Sequence, residues 1–392
     1  MDWKSNLSIT RRGILQAGAG ALAASASGAS LALAAGPADR KLVVIILRGA
    51  MDGLNVVIPH YENLYYIKRP TLAILPPGEP GGAIPLGDGF GLHPALPGLA
   101  AMFNKGEMAF MPAASSSYVE RSHFDGQDVL ENGTTTGLGA LDGWLNRALQ
   151  ALDIPPGTVG VGQTVPLLLK GSATISTWAP STLPQADPET VNKAMDLYAN
   201  DPGLKTALQG AIDIGAVIGD PGQLGSGYEK LARAAGKLLA ADGGPGAAAM
   251  SFNGWDTHAS QANILNSNLA NLNTALLGLR EELGSTWANT AVLVATEFGR
   301  TVAENGTGGT DHGVGGVSFL LGGAVKGGRM LGLWPGLSVT ALYEGRDVFP
   351  ANDLRGLFKG VLRDHWGVDL AALDTTVFPG SSAIAPRDNL VF

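Results

Sequence analysis

The chain has 392 residues, of which 45% are hydrophobic, so it is long and apolar enough for a large α/β domain with a substantial core. Its formal net charge is −8, and Lys and Arg form no cluster after the N-terminus, which argues against nucleic acid as a partner. Cysteine is absent, so the fold needs no disulfide and can form in the cytoplasm.

The N-terminal segment has the pattern of an export signal. Arg11 and Arg12 form a twin-arginine signature, and a stretch rich in Ala, Gly and Ser leads to a small-residue cleavage site at residues 32–34. That stretch is too weakly hydrophobic for a stable membrane span. The sequence therefore predicts a signal peptide over residues 1–35, export by the twin-arginine translocase, and a periplasmic or secreted mature protein.

An acidic residue follows the first predicted strand. Residues 41–47 form an almost continuous apolar run, as expected for a central strand of a parallel sheet. Asp52 lies just beyond this run, in a glycine-containing turn that begins with Arg48. From this position Asp52 could bind a metal ion, or Asp52 and Gly53 could simply form a turn, and the spacing does not decide between the two.

A serine and a histidine follow the next strand run, at residues 108–111. Ser122 and His123 open a predicted helix, and a hydroxyl at a helix N-terminus lies at the favourable end of the helix dipole, which suits a nucleophile. The competing interpretation is that Ser122 only caps the helix, with Asp125 as the acid at its third position. Taken alone, these residues favour the cap.

The middle of the chain has a different sequence pattern. Residues 141–249 contain mainly helical patterns separated by Pro and Gly, and we predict a helical insertion or cap on the sheet rather than an independent domain. A further strand run at residues 248–252 then leads to Asp256 and His258. Side chains two residues apart point the same way on an extended backbone, so both could reach one metal ion.

The largest group of polar residues follows the strand run at residues 291–295. Glu297 and Arg300 come directly after this run, and Asp311 and His312 lie beyond it in a glycine-rich segment that cannot pack as a helix. Ligands of open α/β sheets bind beyond the carboxyl ends of the strands. Because Glu, Asp and His are metal ligands in proteins, this segment predicts a metal or catalytic site.

The apolar runs predict the architecture. We expect residues 41–47, 108–111, 248–252 and 291–295 to be neighbours in one largely parallel sheet with helices on both faces. The mature chain, residues 36–392, would then be a single α/β domain.

Five short motifs follow one another along the mature chain: LRGAMDGLN, RSHFDGQD, GWDTH, TEFGR and GTDHG. Together with the twin-arginine leader they closely resemble the exported family called domain of unknown function 1501, over essentially the whole mature chain. That family resembles the alkaline phosphatase and sulfatase superfamily. The resemblance implies a three-layer α/β sandwich with a mostly parallel central sheet and a metal site at the strand ends.

The resemblance also implies roles for individual residues. Ser122 lies about where the superfamily has its nucleophile, with His123 beside it, and Arg48 or Arg300 could bind the nonbridging oxygens of an ester. Phe298 stands where the superfamily commonly has a histidine, so a full two-metal site would lack one ligand. The implied metal ligands are Asp52, Asp256, His258, Glu297, Asp311 and His312.

Two hypotheses for the function follow. The first is an exported metal-dependent hydrolase of phosphate or related esters, acting on a small-molecule or polymer-borne substrate with zinc, manganese, magnesium or calcium. The alternative is a non-catalytic periplasmic protein that keeps the fold and uses the metal loop for binding or assembly. The many polar residues displayed in glycine-rich loops favour the enzyme, whereas Phe298 and the capping interpretation of Ser122 favour the binding protein.

Overall fold

The computed structural model describes residues 40–153, 157–181 and 186–392, so the signal peptide predicted over residues 1–35 lies outside the described residues. The strands are β1 (Lys41–Arg48), β2 (Val57–Pro59), β3 (Ile84–Gly87), β4 (Phe90–Leu92), β5 (Met108–Ser115), β6 (Thr158–Val161), β7 (Ser176–Trp178), β8 (Ala247–Asn253), β9 (Thr290–Thr296), β10 (Gly316–Leu321), β11 (Arg329–Met330) and β12 (Asn352–Asp353).

Helices connect and cover these strands. The α-helices are α1 (Gly53–Val56), α2 (Asn63–Lys68), α3 (Pro97–Asn104), α4 (His123–Asn132), α5 (Trp144–Gln150), α6 (Pro188–Leu197), α7 (Pro202–Ile218), α8 (Gly227–Ala240), α9 (Gln261–Leu283), α10 (Leu354–Trp366) and α11 (Leu370–Ala372). Short 3₁₀ turns occupy Leu167–Leu169, Pro221–Leu224, Gly284–Asn289 and Val339–Ala341, and a π-helical turn occupies Leu373–Val377.

The main sheet confirms the predicted fold class, an α/β fold with a mostly parallel central sheet. Its strand order is β11-β5-β10-β9-β1-β8-β6-β7, with β12 also paired to β5. Strand β1 lies between β8 and β9 and runs parallel to both, so that Val44 pairs with Ala249 on one side and Leu293 on the other. An almost wholly apolar strand suits this position because both of its faces are covered.

One neighbour relation in the sheet differs from the sequence-based prediction. Strand β5 does not pair with the other three predicted strands, because β10 lies between β9 and β5 and is antiparallel to both. The segment between β9 and β10, residues 297–315, contains no helix in the structure. Without a helical crossover the chain cannot return to the opposite end of the sheet, so β10 must run antiparallel to β9.

Alternating residues of β1 face two separate hydrophobic cores. Val43, Ile45 and Leu47 pack in a core that includes residues of α8 and α9. Leu42 and Val44 pack in a second core, which includes residues of α5 and α10. Because side chains alternate across a strand, helices cover both faces and the domain has three layers.

The remaining segments extend or flank this sandwich. Residues 57–92 contribute a small antiparallel sheet with the order β2-β4-β3. Residues 141–249 contain several helices together with β6 and β7, which extend the main sheet beyond β8. That this segment is an insertion or cap stays a prediction. Within the part of the chain that the structure describes, no helix is long and apolar enough to cross a membrane.

Candidate metal centre

The candidate site lies at the carboxyl ends of the central strands. Asp256 and His258 follow β8, and His312 lies in the loop between β9 and β10. His123 is the first residue of α4, after β5. Strand β5 has the same direction as β9, because β10 is antiparallel to each of them, so all these loops lie at one edge of the sheet.

The side-chain atoms of these residues converge. One ligand atom each from His123, Asp256 and His312 lie within 4.8 Å of one another. The Nε2 atom of His258 is 2.9 Å from Nε2 of His312 and 3.1 Å from Oδ1 of Asp256. Oδ2 of Asp256 is 3.3 Å from Nε2 of His123, and Oδ1 of Asp256 is 3.3 Å from Nε2 of His312. Two ligands that each lie about 2.0 Å from one ion at the tetrahedral angle are separated by about 3.3 Å, so these spacings suit a shared cation.

The outer nitrogen of each histidine contacts a hydrogen-bond acceptor. Nδ1 of His123 is 2.8 Å from Oε1 of Glu297, and Nδ1 of His258 is 3.3 Å from Oδ1 of Asp311. Nδ1 of His312 is 2.9 Å from the carbonyl oxygen of Arg121. Since carboxylate and carbonyl oxygens only accept, each Nδ1 donates its proton, which leaves the Nε2 lone pair of each neutral ring for the centre of the cluster.

These lone pairs need a partner that the described residues do not supply. Nε2 of His123 is buried and makes no hydrogen bond within the described residues. Nε2 of His258 and Nε2 of His312 face each other at 2.9 Å, and two lone pairs at that distance repel unless a proton or cation lies between them. The ligand atoms of His123, Asp256 and His312 therefore fit a divalent cation, and His258 contacts two of these three residues.

Glu297 and Phe298 form the wall behind His123. Glu297 is fully buried, and its carboxylate accepts hydrogen bonds from the backbone N–H of Gly49 (2.8 Å) and from Nε2 of Gln127 (3.1 Å) as well as from His123. The Phe298 ring stacks on the His123 imidazole with 5.0 Å between ring centres. Glu297 thus orients a ligand of the cluster, while Phe298 fixes the plane of the same ring.

Arg300 joins the loops that meet at the cluster. Its guanidinium is buried and donates to the carbonyl oxygens of Gly49 (3.0 Å), Ala50 (2.8 Å) and Thr310 (3.1 Å). It also forms a salt bridge with Asp256. Arg300 therefore holds the loops after β1, β8 and β9 together and partly compensates the negative charge of Asp256.

The electrostatics keep both carboxylates ionised. Burial alone would raise the pKa of Asp256, but the hydrogen bond and charge of Arg300 hold that pKa below its usual range. Burial would also raise the pKa of Glu297, but the hydrogen bond from His123 holds the pKa of Glu297 below its usual range. The Glu297 hydrogen bond raises the pKa of His123, whereas burial lowers the pKa of His312. The hydrogen bond from Glu297 thus favours the protonated form of His123, and burial favours the neutral form of His312.

The structure does not bring Asp52 to this cluster as the resemblance implied. Both Asp52 and Arg69 are completely buried, and Arg69 donates to both carboxylate oxygens of Asp52 at 2.5 and 3.0 Å. The backbone N–H of Leu54 and the side-chain amide of Gln261 donate to the same carboxylate. Asp52 is thus saturated by hydrogen bonds that stabilise the turn after β1.

Other predicted site residues lie around the cluster rather than in it. Asp311 is exposed and contacts it only through His258, and Arg48 forms a salt bridge with Glu131. Ser122 occupies the N-cap position of α4, but its side chain makes no capping hydrogen bond. Ser122 thus has the N-cap position of the capping interpretation without its side-chain bond, and the roles of these residues stay predictions.

Several contributors to the site had not been identified in the sequence. The sequence predicts a catalytic role for His123, and the structure places one of its ring nitrogens among the converging ligand atoms. Gln127 could have been found, since it lies one helical turn after His123 on α4. The carbonyl of Arg121 and the Asp52–Arg69 pair had no sequence signal, because each contact joins segments whose pairing only the fold defines.

Comparison with known proteins gives distant structural similarities and one family. The structure of Ps i-CgsB in complex with k-i-k-neocarrahexaose matches with a TM-score of 0.44 and 10% identity, over 88% of this chain and 76% of that chain. The zinc complex of the C-terminal periplasmic domain of EcEptC from Escherichia coli matches with a TM-score of 0.36 and 10% identity, over 72% and 73%. Alkaline phosphatase from the Antarctic bacterium TAB5 matches with a TM-score of 0.34 and 13% identity, over 74% and 94%.

Sequence comparison identifies the family. A search of curated proteins found no match. The model of the family described as protein of unknown function (DUF1501) matches residues 39–374, which is most of the chain. The protein therefore belongs to the DUF1501 family.

Proposed function

We propose that this protein is an exported metal-dependent hydrolase of phosphate or related esters. The observation that carries the proposal is the convergence of ligand atoms of His123, Asp256 and His312, with Nε2 of His258 next to Asp256 and His312, while Nδ1 of each histidine contacts an acceptor. Such acceptors orient metal-binding histidines and raise their basicity. They also fix the tautomer in which Nε2 carries no proton.

The ligand set indicates the kind of ion. Three imidazole nitrogens and one carboxylate suit zinc or a similar transition metal, whereas magnesium and calcium prefer oxygen ligands. Within the described residues, His123, Asp256 and His312 form the group of side chains that could hold an ion, and Nε2 of His258 lies beside it, 2.9 Å from Nε2 of His312 and 3.1 Å from Oδ1 of Asp256. We therefore propose one ion for each chain, with zinc ahead of manganese, magnesium and calcium.

The cluster is open to solvent on one side, which suits catalysis. The side chains of Asp256 and His258 are 44% and 45% exposed, while those of His123 and His312 are 21% and 26% exposed. A substrate could reach the site from the side of Asp256 and His258. When bound, a divalent cation would polarise an ester oxygen and lower the pKa of a coordinated water.

Residues of the chain itself would complete the site. Glu297 and Asp311 hold His123 and His258 in place, and Arg300 offsets the charge of Asp256. Ser122 is next to His123 at the N-terminus of α4, and its side chain is not used in a capping bond. The helix dipole favours negative charge there, so Ser122 is our proposed nucleophile.

One observation favours the alternative, a non-catalytic metal-binding protein. His123, Asp256, His258 and His312 together offer four ligand groups, which is enough to fill the coordination sphere of a tetrahedral ion. A structural zinc site is closed in this way, whereas a catalytic site keeps one position free. Measuring turnover separates the two functions.

The test combines metal analysis with an ester panel. The metal-free mature protein is loaded with zinc, manganese, magnesium or calcium and assayed on phosphate monoesters, phosphate diesters and sulfate esters. We expect one ion per chain, turnover of at least one phosphate ester, and loss of both in His312→Ala. His60→Ala is the matched control, because His60 directly follows β2 of the small sheet and is not among the converging ligand residues.

The outcomes distinguish the hypotheses. Ser122→Ala should lose several orders of magnitude in rate while keeping its metal, since only the ion and binding groups would then act. Equal activity in Ser122→Ala would remove Ser122 as the nucleophile but leave the hydrolase. A wild-type protein that binds metal and hydrolyses nothing on the panel would support the binding protein instead.

A further inference from the structure

Arg121 has a backbone conformation that requires an explanation. Its φ angle is +64°, in the left-handed region that residues with a Cβ rarely adopt. It lies in the loop between β5 and α4, two residues before His123. Non-glycine residues keep such a conformation only where surrounding contacts hold it.

The side chain of Arg121 supplies those contacts. Its Nε donates to Oδ2 of Asp347 at 2.8 Å, and its Nη2 donates to Oε2 of Glu344 at 2.6 Å. The guanidinium carbon also lies 5.7 Å from the centre of the Tyr343 ring, in cation–π contact. Asp347 is fully buried, so the guanidinium is held against a fixed carboxylate rather than a mobile surface group.

The anchor belongs to the same framework as the metal-binding loop. The backbone N–H of Val302 donates to the carbonyl of Arg346 at 3.2 Å, and the N–H of Gly315 donates to the carbonyl of Val348 at 3.0 Å. These contacts lie on either side of the segment that carries His312. Residues 343–348 therefore support both ends of that segment while they hold Arg121.

The backbone of Arg121 reaches the cluster itself. Its carbonyl oxygen accepts the Nδ1–H of His312 at 2.9 Å. This bond selects the tautomer in which Nε2 of His312 carries a lone pair. The carbonyl makes this contact from a residue in the left-handed conformation, and the side chain of the same residue is anchored by Asp347 and Glu344.

We propose that Arg121 is a positioning residue of the metal centre: its anchored side chain holds its carbonyl oxygen against His312 and so presents Nε2 of His312 to the ion. The role of Arg121 in binding an ion rests on the proposed function. The tautomer of His312, which the contact with Arg121 selects, can be measured without an ion. Arg121 acts through His312 and is not itself a ligand.

The variants separate positioning from general stability. Arg121→Ala removes the anchor and keeps a Cβ, while Arg121→Lys keeps a charge for Asp347. Arg346→Ala is the matched control, because Arg346 also pairs with Asp347, at 3.2 Å, and among the residues that the structure describes its side chain has no hydrogen bond to a histidine of the cluster. Zinc affinity is measured by competition with a chelator, the cobalt-loaded proteins are compared by electronic absorption, and the His312 tautomer is read by ¹⁵N NMR of the metal-free protein.

We expect Arg121→Ala to lose about 10- to 100-fold in zinc affinity, the range for residues that orient a metal ligand. Its cobalt spectrum should change, and His312 should lose its preference for the Nδ1–H tautomer. Arg121→Lys should recover part of the affinity, and Arg346→Ala should remain close to the wild type in all three measurements.

Several results would overturn the proposal. Unchanged affinity and spectrum in Arg121→Ala would do so, as would equal losses in Arg121→Ala and Arg346→Ala. If Arg121→Ala does not fold, Arg121→Lys is the deciding variant. Wild-type zinc affinity with an altered His312 tautomer, or reduced zinc affinity with the wild-type tautomer, would contradict the proposal. A wild-type protein without metal would refute the proposed function alone, and the NMR comparison would still test the contact between Arg121 and His312.

Discussion

Replacing Asp52 with Asn tests whether this carboxylate stabilises the fold or binds metal. The exchange keeps the shape of the side chain and removes its charge. Arg69 would keep its charge in a completely buried position, with only neutral acceptors such as the carbonyl oxygens of Thr301 and Val302. Removing one partner of a buried ion pair costs about 3–5 kcal/mol, so we expect a loss of that size in the free energy of unfolding.

The assay is urea unfolding of the metal-free protein, followed by tryptophan fluorescence, together with metal analysis at saturating zinc. Asp52→Asn should lower the free energy of unfolding and still bind one ion per chain. Its zinc affinity can fall, because Gln261 joins Asp52 to Thr257 and Thr310, next to the loops that carry the candidate ligands. Glu189→Gln breaks an exposed ion pair and serves as the control, with little expected change.

The opposite pattern would refute this reasoning. If Asp52→Asn unfolds like the wild type without metal but no longer binds zinc at saturation, then Asp52 is a ligand. The salt bridge with Arg69 would in that case not describe the metal-loaded protein.

Three further predictions concern pH, close packing and export. Burial lowers the pKa of His365 to about 4, below its ordinary value, so the contribution of this neutral ring to the free energy of unfolding is complete above about pH 6.5 and is lost as pH falls towards 4. In unfolding experiments across this range, the free energy of unfolding should depend less on pH in His365→Gln than in the wild type. An unchanged pH dependence would contradict the assignment. A Cβ at Gly49, where φ is +120°, would lie 2.4 Å from the backbone nitrogen of Asp256. Gly49→Ala should therefore lower both stability and metal content. A variant with wild-type stability and metal content would show that the two backbone segments are not packed tightly here. Changing Arg11 and Arg12 to Lys should keep the precursor in the cytoplasm, and unchanged amounts of exported protein in cell fractions would refute the twin-arginine route.

The sequence was informative where hydrophobic pattern decides structure. Residues 41–47 and 291–295 became the adjacent strands β1 and β9, because a continuous apolar run is stable only where both faces are covered. The direction of β10 could not be predicted in the same way. It depends on whether the glycine-rich loop after β9 forms a crossover helix, and a strand of either direction has the same composition.

The residue types at the site were predictable, but their exact partners were not. The sequence predicts Asp256 and His258 as ligands after a strand and His312 in the glycine-rich segment beyond the next one, and the structure brings them together. Asp52 follows a strand equally closely, yet its carboxylate pairs with Arg69, seventeen residues later. The difference depends on where α2 and its following loop place a guanidinium, which no local pattern encodes.

The most direct test of the central claim is the anomalous-difference map of a zinc-loaded crystal at the zinc absorption edge. The account predicts one peak per chain, about 2.0–2.2 Å from Nε2 of His123, His258 and His312 and from a carboxylate oxygen of Asp256. A peak bound by Asp52 instead, or no peak between these histidines in zinc-saturated protein, would contradict it.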